Sequence, residues 1–141
     1  MWYNSMMAWL LRSPLHGMLS GNMMLITVTG RKTGRRVTTP VQYLCDGDAL
    51  WVTSTRQRTW WRNLRGGAEV ILRLRGKDAR GYGESIESES AVAEGFQMYF
   101  RRAPNSAKYF GVKPDATGQP RTEDIDRLSR ERVMIRIHLE A

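Results

Sequence analysis

The chain has 141 residues, 41% of them hydrophobic, which suits one globular domain with its own core and leaves little room for a second. Lys and Arg number 22 against 14 Asp and Glu, and the net charge of +8 calls for an anionic partner: a phosphorylated cofactor, a nucleic acid or a membrane surface. The lone Cys45 excludes an intramolecular disulfide, and His16 and His138 are too isolated to suggest a metal cluster. No run approaches the about 20 apolar residues that span a bilayer, and no signal peptide is evident, so a soluble cytoplasmic protein is expected.

Along the chain, Trp2, Met6, Trp9 and Leu10 fall close to helical spacing before the stop signal Ser13-Pro14, which predicts a short amphipathic helix from Trp2 to about Leu11. Packing on the core or on a second copy is its plainer role, and peripheral membrane contact through residues 1–12 is the alternative. A second helical turn over Leu15 to Ser20 completes an N-terminal helical segment, residues 1–20. Met23 to Thr29, rich in β-branched and apolar residues, reads as a buried strand.

That strand delivers Thr29-Gly30-Arg31-Lys32-Thr33-Gly34-Arg35-Arg36, with four cations, two hydroxyls and two glycines in eight residues. Backbone N–H groups, hydroxyls and guanidinium forks can converge there on one phosphate. A hairpin turn with solvated basic side chains is the competing reading. Val37 to Leu44 alternates, with Val37, Thr39, Val41 and Tyr43 on one face, and Pro40 marks an edge or a bulge where the ladder is interrupted. Asp46-Gly47-Asp48 supplies a turn, and Leu50 to Ser54 the returning strand of a hairpin.

Thr59 is placed to cap a short helix holding Trp60, Trp61 and Leu64, closed by Gly66-Gly67. Two adjacent tryptophans on one short helix are not both expected to point inward, so one should face a groove or a partner. Val70, Leu72 and Leu74 oppose Arg73 and Arg75, and after a turn at Gly76-Lys77-Asp78 the chain returns through Ala79 to about Ile86. Glu84, Glu87 and Glu89 near that strand's end read as a solvated turn and receive no catalytic role.

Val92, Phe96, Tyr99 and Phe100 form the stripe of an amphipathic helix ending near Ala103-Pro104. A short helix over Asn105 to Val112, a loop over Lys113 to Pro120, and a helix capped by Thr122 and running to about Arg130 follow. Val133, Ile135, Ile137 and Leu139 then alternate as a last strand. Hairpin-linked strands without βαβ alternation predict a mainly β fold with α-helices outside it: about six antiparallel strands closed or half-closed into a small barrel.

There is no nucleophile elbow, zinc-protease motif or cysteine-pair metal site. The residues offer instead hydroxyls at Thr53 and Ser54, aromatic faces at Trp60-Trp61 and an amide at Asn63 beside a basic turn, a set suited to a phosphorylated heterocycle.

The succession Leu25-Ile26-Thr27-Val28-Thr29-Gly30-Arg31-Lys32-Thr33-Gly34, Thr39-Pro40, Asp46-Gly47-Asp48, Ser54 and Trp60-x-x-Asn63-Leu64 resembles the deazaflavin-dependent nitroreductase family, coenzyme F420-dependent oxidoreductases. The resemblance covers about Leu25 to Leu74 and implies a split β-barrel of the FMN-binding type. It implies hydride transfer from reduced deazaflavin to a quinone, nitroaromatic or enone acceptor. By position it implies that Arg31 and Lys32 hold the coenzyme's phosphate and acidic tail, that Thr53 and Ser54 lie beside the deazaflavin, and that Trp60 and Asn63 shape its pocket, with Thr33 and Pro40 also among the cofactor-binding residues.

Many relatives carry arginine at the place of Val37, and Arg36 is expected to take over that contact. The link from Ser54 to Trp60 is shorter than in many relatives, with Arg56 and Arg58 offered as compensating charge. The proton comes from solvent or a tyrosine, and Tyr109 is the candidate catalytic residue on the substrate side, with an ordinary partly buried aromatic as the competing reading. FMN on the same scaffold and a non-enzymatic nucleic-acid-binding barrel are the alternatives, the second less economical. A homodimer is a modest preference drawn from split barrels.

Overall fold

The computed structural model describes residues 23–74 and 76–140. Six strands, β1 (Met23–Thr29), β2 (Arg36–Asp46), β3 (Ala49–Thr55), β4 (Ala68–Leu74), β5 (Lys77–Ile86) and β6 (Arg132–Leu139), alternate with helices α1 (Glu89–Arg102) and α2 (Thr122–Glu131) and with 3₁₀ turns at Trp60–Leu64 and Pro104–Phe110. All pairings are antiparallel, and the order β1-β2-β3-β6-β5-β4 closes because β4 returns to β1 through Leu25↔Arg73, Ile26↔Leu72 and Thr27↔Ile71. The expected antiparallel six-stranded split barrel with helices outside is the fold found. The N-terminal helical segment and its membrane contact through residues 1–12 lie outside the described residues, as does Arg75. Among the described residues, no helix is long and apolar enough to cross a membrane.

The strand period of two builds two cores from one strand. On β6, Val133, Ile135 and Ile137 face the barrel interior with Met24, Ile26 and Val28 of β1. Met134, on the opposite face, packs with Val92, Phe96, Tyr99 and Phe100 of α1 and Ile125 and Leu128 of α2. Gly95 permits that approach, since a Cβ there would lie 3.0 Å from Met134 Cγ. The predicted stripe of α1 is the face that covers the sheet.

Several local expectations are corrected. Trp60–Leu64 is a 3₁₀ turn, and Thr59 makes no side-chain cap to it. Both tryptophans are buried with Leu64 against the barrel core, so neither is fully outward, yet Trp60 also borders a groove, as expected of one of the pair. Trp61 Nε1 donates to Thr55 O at 3.2 Å, and Arg62 and Arg65 lie over its ring at 5.7 and 5.3 Å. Thr122 is the first residue of α2 rather than its cap, which is Arg121. On β2, Thr39, Val41 and Tyr43 are buried as the alternation predicts, but Val37 at the rim is 42% exposed. Leu74 pairs with Lys77, so the β4–β5 turn is tighter than predicted.

Candidate functional site

The closed barrel is open in one place. β2 pairs with β1 from Arg36 to Gln42, but its ladder with β3 runs only from Tyr43↔Val52 to Asp46↔Ala49. Beyond Val52, residues Thr53 to Thr55 pair with β6 alone. Pro40 lies in the stretch of β2 that pairs with β1 alone, and having no N–H it suits a strand whose β3 side has separated. The interrupted ladder expected from Pro40 is therefore present.

A groove of about 320 Å³ fills this split, lined by Pro40 to Gln42 on one side and Thr53 to Thr55 on the other, with Trp60, Arg58, Tyr109, Phe110, Arg132 and Met23. Five of the predicted site residues thus meet: Pro40, Thr53, Ser54, Trp60 and Tyr109. Both hydroxyls are committed as donors, Thr53 Oγ1 to Val133 O at 2.8 Å and Ser54 Oγ to Thr55 O at 3.1 Å. Each keeps lone pairs with which to accept a hydrogen bond. Tyr109 is 79% exposed at the lip, not the partly buried aromatic of the competing reading.

The basic turn lies apart from the groove and is joined to it through the 3₁₀ turn. Arg31 N donates to Asn63 Oδ1 at 3.1 Å, Asn63 Nδ2 donates to Trp60 O at 3.1 Å, and Arg31 Nη2 donates to Arg65 O. Arg31 and Asn63 therefore brace the turn against the element that carries Trp60. Gly30 N donates to Arg35 O at 2.7 Å, Gly34 N to Gly30 O at 2.8 Å and Arg35 N to Thr33 Oγ1 at 3.2 Å, with Gly34 at a φ of +70°. These N–H groups are consumed within the loop. The sequence reading had backbone donors converging on a phosphate; the turn instead offers an anion mainly its side chains.

Arg36 is not brought to the groove. It borders a separate cleft of about 230 Å³ with Thr27, Thr29, Glu69 to Ile71 and Arg80. Arg56 is no free charge either, because its Nη2 donates to Glu87 O at 2.6 Å and Ser129 O at 2.9 Å. The glutamates proposed as a solvated turn are partly ion-paired: Arg136 with Glu84, and Arg65 with Glu87 at 2.9 Å.

Arg132 was not singled out by the sequence. Its Nε donates to Thr53 Oγ1 at 3.2 Å, its guanidinium stands 5.1 Å over the Phe110 ring, and burial pulls its pKa below the ordinary value. The contact spans 79 positions and depends on the β3–β6 register, which no local motif announces.

The fold is similar to those of several solved structures. Protein Rv2991 of Mycobacterium tuberculosis, described as a conserved hypothetical protein, aligns with a TM-score of 0.56 at 18% identity over 97% of this chain and 80% of its own. A candidate pyridoxamine 5'-phosphate oxidase from Listeria innocua gives 0.55 at 14% identity, over 98% and 93%. The heme storage protein HutZ of Vibrio cholerae gives 0.54 at 14% identity, over 85% and 82%. These likenesses concern the fold alone. No curated protein matches the sequence. The model of the F420H(2)-dependent quinone reductase family matches residues 11–115, most of the chain and the whole span from the basic turn to the tyrosine at the groove's lip. The chain accordingly belongs to that family, as an F420H2-dependent oxidoreductase with coenzyme F420 as its cofactor.

Proposed function

We propose that the groove at the barrel's split holds the deazaflavin ring of coenzyme F420, framed by Pro40, Thr53, Ser54 and Trp60, and that the electron acceptor is a quinone. The observation that carries this reading is the convergence of Pro40, Thr53, Ser54, Trp60 and Tyr109 from distant stretches of the chain on one groove. Its volume of about 320 Å³ is at the lower end of small-molecule pockets, enough for a ring system but not for a whole tailed cofactor. The acidic tail then runs over the surface toward Lys32, Thr33 and the Arg31–Asn63 brace. Among the described residues, Trp60 Nε1 is buried without a hydrogen-bond partner.

When bound in its reduced form, the coenzyme supplies the hydride. The protein's part is placement. Thr53 and Ser54 present acceptor lone pairs to a ring N–H, and Trp60 gives the ring a flat wall. Tyr109, at the lip, is positioned to give a proton to the acceptor's oxygen, so that quinone, hydride and proton together yield the hydroquinone. Other electron-poor acceptors, nitroaromatics and enones, belong to the same chemistry. Arg36, facing another cleft, is left out of the site. The domain is taken as single and as pairing into a homodimer, which sedimentation decides.

Titration with F420, and separately with FMN, followed by ligand fluorescence at low and raised salt, tests the reading. One-to-one saturation by F420, weakened by Lys32→Ala and by Trp60→Ala, is expected. Absence of saturable F420 binding, or tight FMN binding in its place, overturns it.

A further inference from the structure

The groove holds two arginines that hydride transfer to a neutral quinone does not need. Arg58 Nη2 donates to Thr39 Oγ1 at 2.9 Å, reaching across the split to β2. Arg132 Nε donates to Thr53 Oγ1 on the other wall. Each guanidinium is thus oriented by a threonine hydroxyl and keeps further N–H donors. Among the described residues neither forms an ion pair, whereas Arg65, Arg73, Arg102, Arg121, Arg127 and Arg136 all do. Residues 1–22 contain no Asp or Glu, so that segment has no carboxylate side chain to offer them.

Arg132 is half-buried beside an aromatic face, where its charge is disfavoured by lost hydration. The neighbouring Glu131 acts on this charge only from a distance. With no carboxylate at ion-pair distance among the described residues, the guanidinium in a ligand-sized groove is complementary to an anion that arrives with the ligand. The other groups lining the groove, hydroxyls, an amide, aromatic rings and apolar side chains, offer it no competing carboxylate.

We propose that Arg58 and Arg132 form a clamp for an acidic group on the acceptor, so that the enzyme prefers quinones carrying an ionised ring hydroxyl or a carboxylate over neutral ones. This rests on the reading of the groove as the seat of the deazaflavin ring, with the acceptor received at its open side, where Tyr109, Arg58 and Arg132 lie. The pair acts on binding: guanidinium N–H groups donate to the acceptor's anionic oxygen and fix the ring for hydride delivery, and no bond is made or broken by them.

The test is calorimetric titration of the full chain with lawsone, a naphthoquinone whose ring hydroxyl is ionised at neutral pH, and with its methyl ether, which is neutral and of similar shape. Lawsone is expected to bind the wild-type protein about tenfold or more tightly than the ether. That ratio should fall toward one in Arg132→Gln and in Arg58→Gln, and recover partly in Arg132→Lys. Arg58 is exposed, so its variant keeps the test readable where Arg132→Gln disturbs folding.

Equal affinities in the wild type, or a ratio that survives both Gln variants, overturns the proposal. Saturating the protein with F420 first separates the two sources of negative charge, since loss of the preference would mean that the cofactor's own anion occupies the clamp, which also overturns it. F420 binding and reduction of neutral quinones without an anion preference sinks this inference alone. An anion preference without F420 binding sinks the cofactor reading alone.

Discussion

The two stretches on either side of the β4–β5 turn differ in structure, four strands against two strands and both α-helices, and in charge. Residues 23–74 carry nine Lys and Arg against three Asp and Glu, whereas residues 76–140 carry eleven of each. In the second stretch, pairs such as Arg121–Glu123, Arg127–Asp124 and Arg136–Glu84 are made within the stretch itself, the last across the β5–β6 ladder. Its acids also reach back, Glu87 to Arg65 and Asp78 to Arg73. What remains in the first stretch are cations such as Lys32, Arg35 and Arg58, without an ion pair among the described residues. The second stretch thus balances its charge and carries the helical core, while the first keeps a basic excess at the turn, which the proposed reading gives to an anionic ligand.

The largest expected effect tests the structural side of that division. Phe96 is fully buried, with the Phe100 and Phe110 rings both centred 5.6 Å away. Phe96→Ala should cost about 3–5 kcal/mol in urea unfolding, through lost transfer energy and the cavity left behind. The folded fraction should still bind coenzyme with near wild-type affinity. If affinity fell as steeply as stability, the two stretches would not be separable.

A smaller contrast lies within the basic turn itself. Lys32→Ala, on an exposed side chain, should change stability by less than about 0.5 kcal/mol yet weaken coenzyme binding several-fold and flatten its salt dependence. Arg31→Ala should do both, losing about 1 kcal/mol of stability because its guanidinium holds the Arg65 carbonyl. Equal stability losses in the two variants would show that the turn's cations are structural.

The barrel was legible because its signals are local. Alternation in β6, Gly47 at a φ of +64° between β2 and β3, and the α1 stripe each lie within a few residues of the structure they specify. Pro40 was legible for the same reason, as a missing N–H in an otherwise regular strand. Within the groove, Thr53, Ser54 and Trp60 came from a motif, and the tyrosine lip from resemblance. Arg132 had no such signal, because it enters the groove only through its pairing position opposite Thr55. The surroundings of Arg56 and Arg36 had no local signal either, because a cation's neighbours, carbonyls in one case and another cleft in the other, are set by tertiary approach.

The smallest effect expected is at the seam between the two stretches. Glu87 accepts from Arg65 Nε at 3.0 Å and Nη2 at 2.9 Å, and from Ser85 Oγ at 3.3 Å. The Arg65 hydrogen bonds hold its carboxyl below the usual value, against burial, which pushes the other way. A carboxylate with a depressed folded pKa stabilises the fold fully above its unfolded pKa of about 4.3, and loses that contribution as pH falls through the folded value below it. The stability gap between wild type and Glu87→Gln should therefore be level near neutrality. It should begin to narrow below about pH 5 and close in strong acid. Because the pair is partly exposed, added salt at neutral pH should shrink the gap as well. Chemical unfolding of both proteins across that range decides the matter: a gap that widens with acid would mean that Glu87 is destabilising as a carboxylate, and that the seam is held by the Arg56 contacts to backbone carbonyls instead.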